Sequence, residues 1–148
     1  MKDFLNSLDL IGRTIGELEN LLVQGDLDLT WLGEAHLVLP KNLVVKGTLN
    51  VSGTGIRELP DGLKARRIKA QDCKNLVRVG TLTCVDANFS GCKGLSELAG
   101  LTAEGDVNLS MTGLSELGPL YVGGDLFLMW TDADLPSETV VNGQVFRA

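Results

Sequence analysis

The sequence predicts a mainly β fold in which one chain winds as a single stack of parallel coils, or rungs. The first observation is a repeat, because an apolar residue of an L-x-L pair recurs at steps of 22, 19, 19, 20, 19 and 19 residues. Its seven positions are Leu27, Leu49, Ile68, Ala87, Val107, Leu126 and Val145. A near-constant period of this length is typical of solenoids. The second observation is the alternation of apolar and polar residues around these positions, which is the pattern of strands with one buried face.

The first 22 residues lack this repeat and have the spacing of an amphipathic helix. Their apolar residues, at steps of four and three, are Phe4, Leu8, Ile11, Ile15, Leu18 and Leu22. Such residues share one face of a helix, and Thr14 with Glu17 forms a capping box after a break at Gly12. We predict a helical cap over residues 1–22 that covers the apolar end of a solenoid formed by residues 23–148. Docking of this apolar face to a membrane or to a partner helix is the alternative.

Each rung combines two short strands whose apolar residues have the same parity. In the rung from Leu43 to Val51, every odd position is apolar or glycine, and we expect these positions to point inward. Gly47 in the middle is expected to let the chain bend between the two strands. Two rungs, at residues 63–70 and 82–89, have one residue fewer between their strands, so we expect tighter turns there.

A column of small hydrogen-bonding residues follows the second strand of successive rungs. Its members are Thr54, Cys73, Cys92, Thr112 and Thr131. Stacked side chains of this kind can satisfy backbone groups that a buried turn leaves unpaired. The third cysteine, Cys84, falls in the inward column with Val45 and Val122. We therefore predict that all three cysteines are free structural thiols rather than a disulfide, a metal site or a catalytic nucleophile.

The repeat L-x-L-x-x-[TC]-x-[IL]-x-x-L-P, seen as LNVSGTGIRELP from Leu49 to Pro60, resembles the bacterial leucine-rich repeat. The resemblance covers roughly Leu21 to Phe146. It implies a right-handed stack with a concave parallel sheet, irregular or helical returns, and a role in binding other proteins. Two features depart from that family: threonine predominates where asparagine or cysteine is usual, and the segment before the inner strand is longer. The added L-x-V-x-G segment resembles right-handed β-helix rungs, including those of polymer-forming bactofilins, so a closed β-helix is the alternative fold.

Composition and charge restrict the class of partner and of chemistry. The 148 residues carry a net charge of −6, which disfavours binding to nucleic acid and to anionic membranes. Three cysteines, with no signal-peptide pattern and no spanning apolar run, predict a reducing cytoplasm. His36 is the only histidine, so the chain offers too few ligands for a zinc site. We predict no metal and no cofactor.

Four aspartates, Asp26, Asp86, Asp106 and Asp125, stand just before the inner strand of their rungs. The calcium-binding nonapeptide G-G-x-G-x-D is absent from the sequence, so we interpret them as solvated or turn-capping residues. No pair of carboxylates stands out for acid–base catalysis, and we predict that the protein has no catalytic residues and is not an enzyme. A solenoid enzyme that acts on polysaccharides is the distant alternative.

The outward face of the second strand is the predicted binding surface. The residues that the L-x-L pattern leaves in solvent form one column: Asp28, Asn50, Lys69, Asn88, Asn108 and Phe127. Arg67 and Met129 lie in the columns beside it, and Trp130 follows Met129. Outward apolar residues and arginine are favoured at protein interfaces, so we predict that these nine residues contact a protein partner. The alternative is that the C-terminal tail covers the last full rung.

Thr139, Val141, Gly143 and Val145 begin another rung, although Asn142-Gly143 could instead form a hairpin turn. An open strand edge favours association, so homodimerisation through this rung is one expected mode of assembly.

For function, the sequence predicts a non-catalytic protein–protein interaction module that is cytoplasmic in a bacterium. A related expectation, at the level of the resemblance, is a phage or mobile-element inhibitor of a host complex such as a defence system. A self-assembling structural scaffold is the alternative.

Overall fold

A computed structural model describes residues 21–34 and 38–147, which form a parallel β-solenoid of about six turns. The strands within these residues are β1 Leu22–Val23, β2 Leu27–Asp28, β3 Val44–Asn50, β4 Glu58–Leu59, β5 Leu63–Lys69, β6 Arg78–Cys84, β7 Asp86–Asn88, β8 Glu97–Ala103, β9 Val107–Asn108, β10 Glu116–Leu117, β11 Leu120–Val122, β12 Leu126–Phe127, β13 Val140–Val141 and β14 Val145–Phe146. The only helix in the described part is a single 3-10 turn, Thr30–Leu32. The prediction of a mainly β, parallel solenoid is therefore confirmed.

The predicted cap and the histidine fall largely outside the described part of the chain. Residues 1–20 and His36 lie outside it, whereas Leu22, the last residue of the predicted cap, is the first residue of β1. No helix within the described ranges has the length and apolarity that crossing a bilayer requires.

The rungs stack in the register that the repeat predicts. The partner pairs are Leu27 with Leu49, Leu49 with Ile68, Ile68 with Ala87, Ala87 with Val107, Val107 with Leu126, and Leu126 with Val145. These pairs form the second ladder of the solenoid. The first ladder lies upstream of it in each rung, where Val23 pairs with Val45 and Val45 with Ala65. The last rung continues both ladders in parallel, so the hairpin alternative at Asn142-Gly143 is wrong.

The returning segments form a third ladder, which differs from the irregular or helical returns implied by the resemblance. Its apolar pairs are Leu59 with Val79, Val79 with Leu98, and Leu98 with Leu117. On the outside of this ladder, the Arg78 guanidinium lies 3.1 Å from the carboxylate of Glu97, 3.6 Å from that of Glu58 and 3.7 Å from that of Asp61. Strands form here because buried aliphatic residues alternate with exposed charged ones.

Inward columns fill one continuous core, as predicted from their parity. Leu43, Leu49 and Val51 have no exposed surface, and Phe89 is equally buried in the middle of the stack. Since one rung cannot bury its own apolar face, each rung depends on its neighbours for this burial.

The predicted column of threonine and cysteine residues is also confirmed. Thr54 Oγ1 donates a hydrogen bond to the Val51 carbonyl at 2.7 Å, and Cys92 Sγ donates to the Ala70 carbonyl at 2.8 Å. Cys73, Cys84 and Cys92 are free and buried. The hydrogen bond with Cys73, reinforced by burial, raises the pKa of the Cys92 thiol. Cys73 and Cys92 therefore act as small hydrogen-bonding core residues, and Cys84 packs in the core.

The glycine between the two strands has a role beyond the expected one. A Cβ on Gly47 would collide with Oδ1 of Asp26 from the preceding rung. That carboxylate accepts a hydrogen bond from the Thr48 amide at 2.8 Å. The glycine therefore makes room for an aspartate of the preceding rung. The same relation holds for Gly105 with Asp86, Gly124 with Asp106, and Gly143 with Asp125.

The two shortened rungs lack this glycine. Between β3 and β5 the pairing shifts by one residue, because Val45 pairs with Ala65 but Thr48 pairs with Arg67. As a result β5 runs without interruption through both ladders. This rung therefore passes from the first ladder to the second along one continuous strand, where a tighter turn was expected.

Candidate functional site

A shallow groove of about 310 Å³ lies on the outward face of the second ladder. Four adjacent rungs contribute its polar and aromatic side chains, namely Arg67, Lys69, Gln71, Asp86, Asn88, Asp106, Asn108 and Phe127. The structure thus brings together five of the nine predicted binding residues in one concave surface. We call this surface the central groove.

The four other predicted residues lie beyond the two ends of the central groove. Asp28 and Asn50 continue its column toward the first rung, where Asp28 pairs with Asn50 and Asn50 with Lys69. The hydroxyl and amide of Thr30 donate to Asp28 Oδ1 at 2.6 and 2.9 Å, which lowers the pKa of that carboxyl. Met129 and Trp130 follow β12 at the opposite end.

The basic end of the central groove contains two cations, of which Arg67 is ion-paired and Lys69 is not. The Arg67 guanidinium lies 3.6 Å from the Asp86 carboxylate, and both side chains are partly exposed. Lys69 is exposed and has no ion pair with any of the described residues. Lys69 is therefore the cation that remains available to a ligand.

The aspartates of the groove are used to join rungs. Asp86 Oδ1 accepts a hydrogen bond from the Asp106 amide at 2.9 Å, and Asp106 Oδ1 accepts one from the Asp125 amide at 2.8 Å. The expectation of solvated or turn-capping residues therefore missed their bonds to the next rung, although the Gly-Asp pair that follows each of these two aspartates, with its Asp 20 or 19 residues later, was a usable signal. No three His, Cys, Asp or Glu side chains cluster as metal ligands within residues 21–34 and 38–147.

The asparagines of the groove have fixed orientations. Asn88 Oδ1 accepts a hydrogen bond from the Ser90 amide, and Asn108 Oδ1 accepts one from the Ser110 amide, both at 2.9 Å. Because the carbonyl oxygen of each side chain is held by the turn, its NH₂ group is the part left to donate to a ligand. The centre of the groove therefore presents two amide donors, beside the carboxylates of Asp86 and Asp106.

The far end of the groove is aromatic. The rings of Phe127 and Phe146 stack with centroids 4.9 Å apart and an interplanar angle of 9°. Phe146 is 37% exposed and was not among the predicted binding residues. Its position, one 19-residue step after Phe127, was the signal that could have identified it.

Exposed apolar residues with an unusual backbone lie beside this aromatic end. Trp130 is 69% exposed and has a φ of 56°, and Met111 one rung earlier is exposed with a φ of 58°. Glycines occupy the same column at Gly53 and Gly91, with φ values of 69° and 81°. Left-handed backbone is unfavourable for large side chains, so these two residues present apolar surface at some conformational cost.

Comparison of the chain with protein-family models, with curated proteins and with solved structures found no match.

Proposed function

We propose that this chain is a non-catalytic protein-binding module and that the central groove is its contact surface. The observation that carries the proposal is the composition of this one surface: an available cation at Lys69, two amide donors, and the stacked Phe127–Phe146 pair. Aromatic residues and arginine are enriched at protein interfaces, and Phe127 and Arg67 both line this groove. Exposed Trp130 extends the apolar end of this surface.

The rigidity of the groove also supports binding. Its residues lie on paired strands, and the asparagine side chains are held by hydrogen bonds to their own turns. A surface that is ordered before binding loses little conformational entropy when it meets its partner.

The test is an affinity capture with two double variants of matched chemistry. Lys69→Glu with Phe127→Asp changes the groove, whereas Lys64→Glu with Tyr121→Asp makes the same changes on the same two rungs, on the outward side of the first ladder. Lys64, Tyr121 and Lys69 are exposed, whereas Phe127 is half-buried and stacks on Phe146, so circular dichroism and thermal denaturation first establish that both double variants are folded. We expect the partner to be lost from the groove variant and retained by the control. Recovery of the same proteins by both variants would refute the groove as the contact surface.

A finer classification of the fold is part of this proposal. The third ladder, in which Leu59, Val79 and Leu98 pair along the returning segments, supports a closed β-helix over an open leucine-rich-repeat arc. The cytoplasmic location, and the role of a bacterial or phage-encoded inhibitor of a host complex, rest on sequence composition and resemblance.

Self-assembly into a scaffold is the second candidate, favoured by the last described strands. Within the described residues, β13 and β14 pair on one side only, with β11 and β12, and Val140 and Val145 are exposed. Light scattering over a range of protein concentrations tests this candidate, since dimers or filaments should increase with concentration. A constant monomer mass would exclude it.

A further inference from the structure

We propose that the central groove binds an extended peptide segment of a partner protein. This inference rests on the proposed function. In this segment an acidic side chain contacts Lys69, and an apolar side chain four residues away contacts Phe127. The residues between them accept hydrogen bonds from Asn88 and Asn108.

Local charge favours an acidic residue at the Lys69 end, although the chain as a whole has a net charge of −6. Arg67 is neutralised by Asp86, and Asp86 in turn holds the Asp106 amide. Lys69 has no such partner among the described residues, so its charge is the one that a ligand can neutralise.

The spacing of the groove residues sets the length of the peptide. Lys69, Asn88, Asn108 and Phe127 are direct partners on successive rungs. Three steps between parallel strands of about 4.8 Å each separate Lys69 from Phe127 by about 14 Å. An extended peptide rises about 3.4 Å per residue, so about four residues cover this distance.

The alternation of side chains in an extended peptide agrees with this count. Residues i, i+2 and i+4 of an extended chain point to the same side. An acid at i and an apolar residue at i+4 can therefore face the groove together, with a polar residue at i+2 above Asn88 and Asn108. A helical ligand would need about nine residues to cover the same distance, at a rise of about 1.5 Å per residue.

The experiment measures fluorescence polarisation of labelled synthetic peptides with the full chain. The reference peptide is GSETSTFSG, in which glutamate and phenylalanine are separated by four positions. Two spacing variants, GSETFSG and GSETSTSTFSG, place them two and six positions apart. Two further peptides replace the glutamate by glutamine or the phenylalanine by alanine. We expect the reference peptide to bind at least about fivefold more tightly than each of the others.

Charge reversal identifies the contact. Lys69→Glu should weaken binding of the reference peptide at least about tenfold and should restore binding to GSKTSTFSG, whereas Lys64→Glu should change neither. Equal affinity for all three spacings, or an unchanged affinity in the Lys69→Glu variant, would overturn the proposed peptide mode. If no peptide binds but partner capture still depends on Lys69 and Phe127, the peptide mode is wrong and the protein-binding function stands. If capture is also independent of both residues, both proposals are wrong.

Discussion

The two shortened rungs in the middle of the solenoid differ from the rungs around them in how one strand passes to the next. In the flanking rungs an aspartate holds the next rung and a glycine makes room for it, as Asp26 and Gly47 do. The shortened rungs have no glycine at this place. In the first of them Arg67 occupies the aspartate column, whereas the second has Asp86 there and holds the next rung in the usual way. Arg67 instead forms an ion pair with Asp86.

The difference shows which positions of the repeat can vary without loss of a bond between rungs. Side chains that hold the next rung cannot serve a ligand with the same atoms, whereas Arg67 and Lys69 make no bond that the stack requires. The central groove begins on the rung of Arg67 and Lys69. Departures from a structural rule often mark functional positions. Three stability measurements compare the two kinds of rung.

The largest expected effect is on the free energy of unfolding at alkaline pH, and it comes from Cys84, the buried thiol of the second shortened rung. Burial, with a smaller contribution from the Asp86 carboxylate, raises the pKa of Cys84 from 9.0 to about 12. Below pH 9 the thiol is protonated in both the folded and unfolded states. Between pH 9 and 12 only the unfolded state loses this proton, so the free energy of unfolding falls by about 2–3 kcal/mol by about pH 11.

Urea denaturation of the wild type and of Cys84→Ala across this pH range measures the effect. Alanine occupies the neighbouring positions Ala65 and Ala103 of the same inward column, so it should be accommodated. The variant should lose this part of the alkaline destabilisation. Identical pH profiles for the two proteins would show that Cys84 does not titrate as a buried group.

The second effect concerns the flanking rungs. Gly47→Ala should lower the free energy of unfolding by about 1–2 kcal/mol, because the new Cβ displaces the Asp26 carboxylate from the Thr48 amide. Combining it with Asp26→Ala should recover part of this loss, because the colliding carboxylate is then absent.

Gly25→Ala is the matched control, because a Cβ at that position of the same column meets no atom within 4 Å. It should be neutral or slightly stabilising. If Gly25→Ala and Gly47→Ala cost the same in thermal denaturation, the glycine is required for backbone conformation and not for the aspartate.

The smallest effect on stability is expected at Arg67. Arg67→Thr places there the residue that Thr48 provides one rung earlier, and it should change the free energy of unfolding by less than about 0.5 kcal/mol, since the lost ion pair is largely exposed. Chemical denaturation provides the measurement. A loss as large as that of Gly47→Ala would mean that the middle rungs, like the flanking ones, are built around inter-rung bonds.

The sequence predicted the stacking register because burial imposes it. Shifting a rung by one residue would turn Ile68 or Leu126 outward, so parity and period together leave one arrangement. The Thr54 column was predictable for a related reason, since a buried turn must satisfy its own carbonyls.

Other features depend on contacts between rungs that no single rung reveals. The hydrogen bond that the Asp106 amide donates to the Asp86 carboxylate joins residues 20 apart. The third ladder forms because the returning segments of consecutive rungs lie side by side. The central groove was predicted in its column of residues, but not in its extent, because concavity depends on the relative heights of side chains across rungs. Phe146 was missed because it belongs to the groove only through the stacking of its ring on Phe127.

Arg78 ties three successive coils together from the outside, through Glu58, Asp61 and Glu97. Each coil touches its immediate neighbours, and fraying can travel inward one coil at a time. The ion pairs of Arg78 to the coils on both sides of its own add to these contacts, so residues 58–98 should open later than the outer coils and exchange their amide hydrogens more slowly. The central groove overlaps residues 58–98 at Arg67, Lys69 and Asn88, so its basic half lies on the coils that are expected to open last.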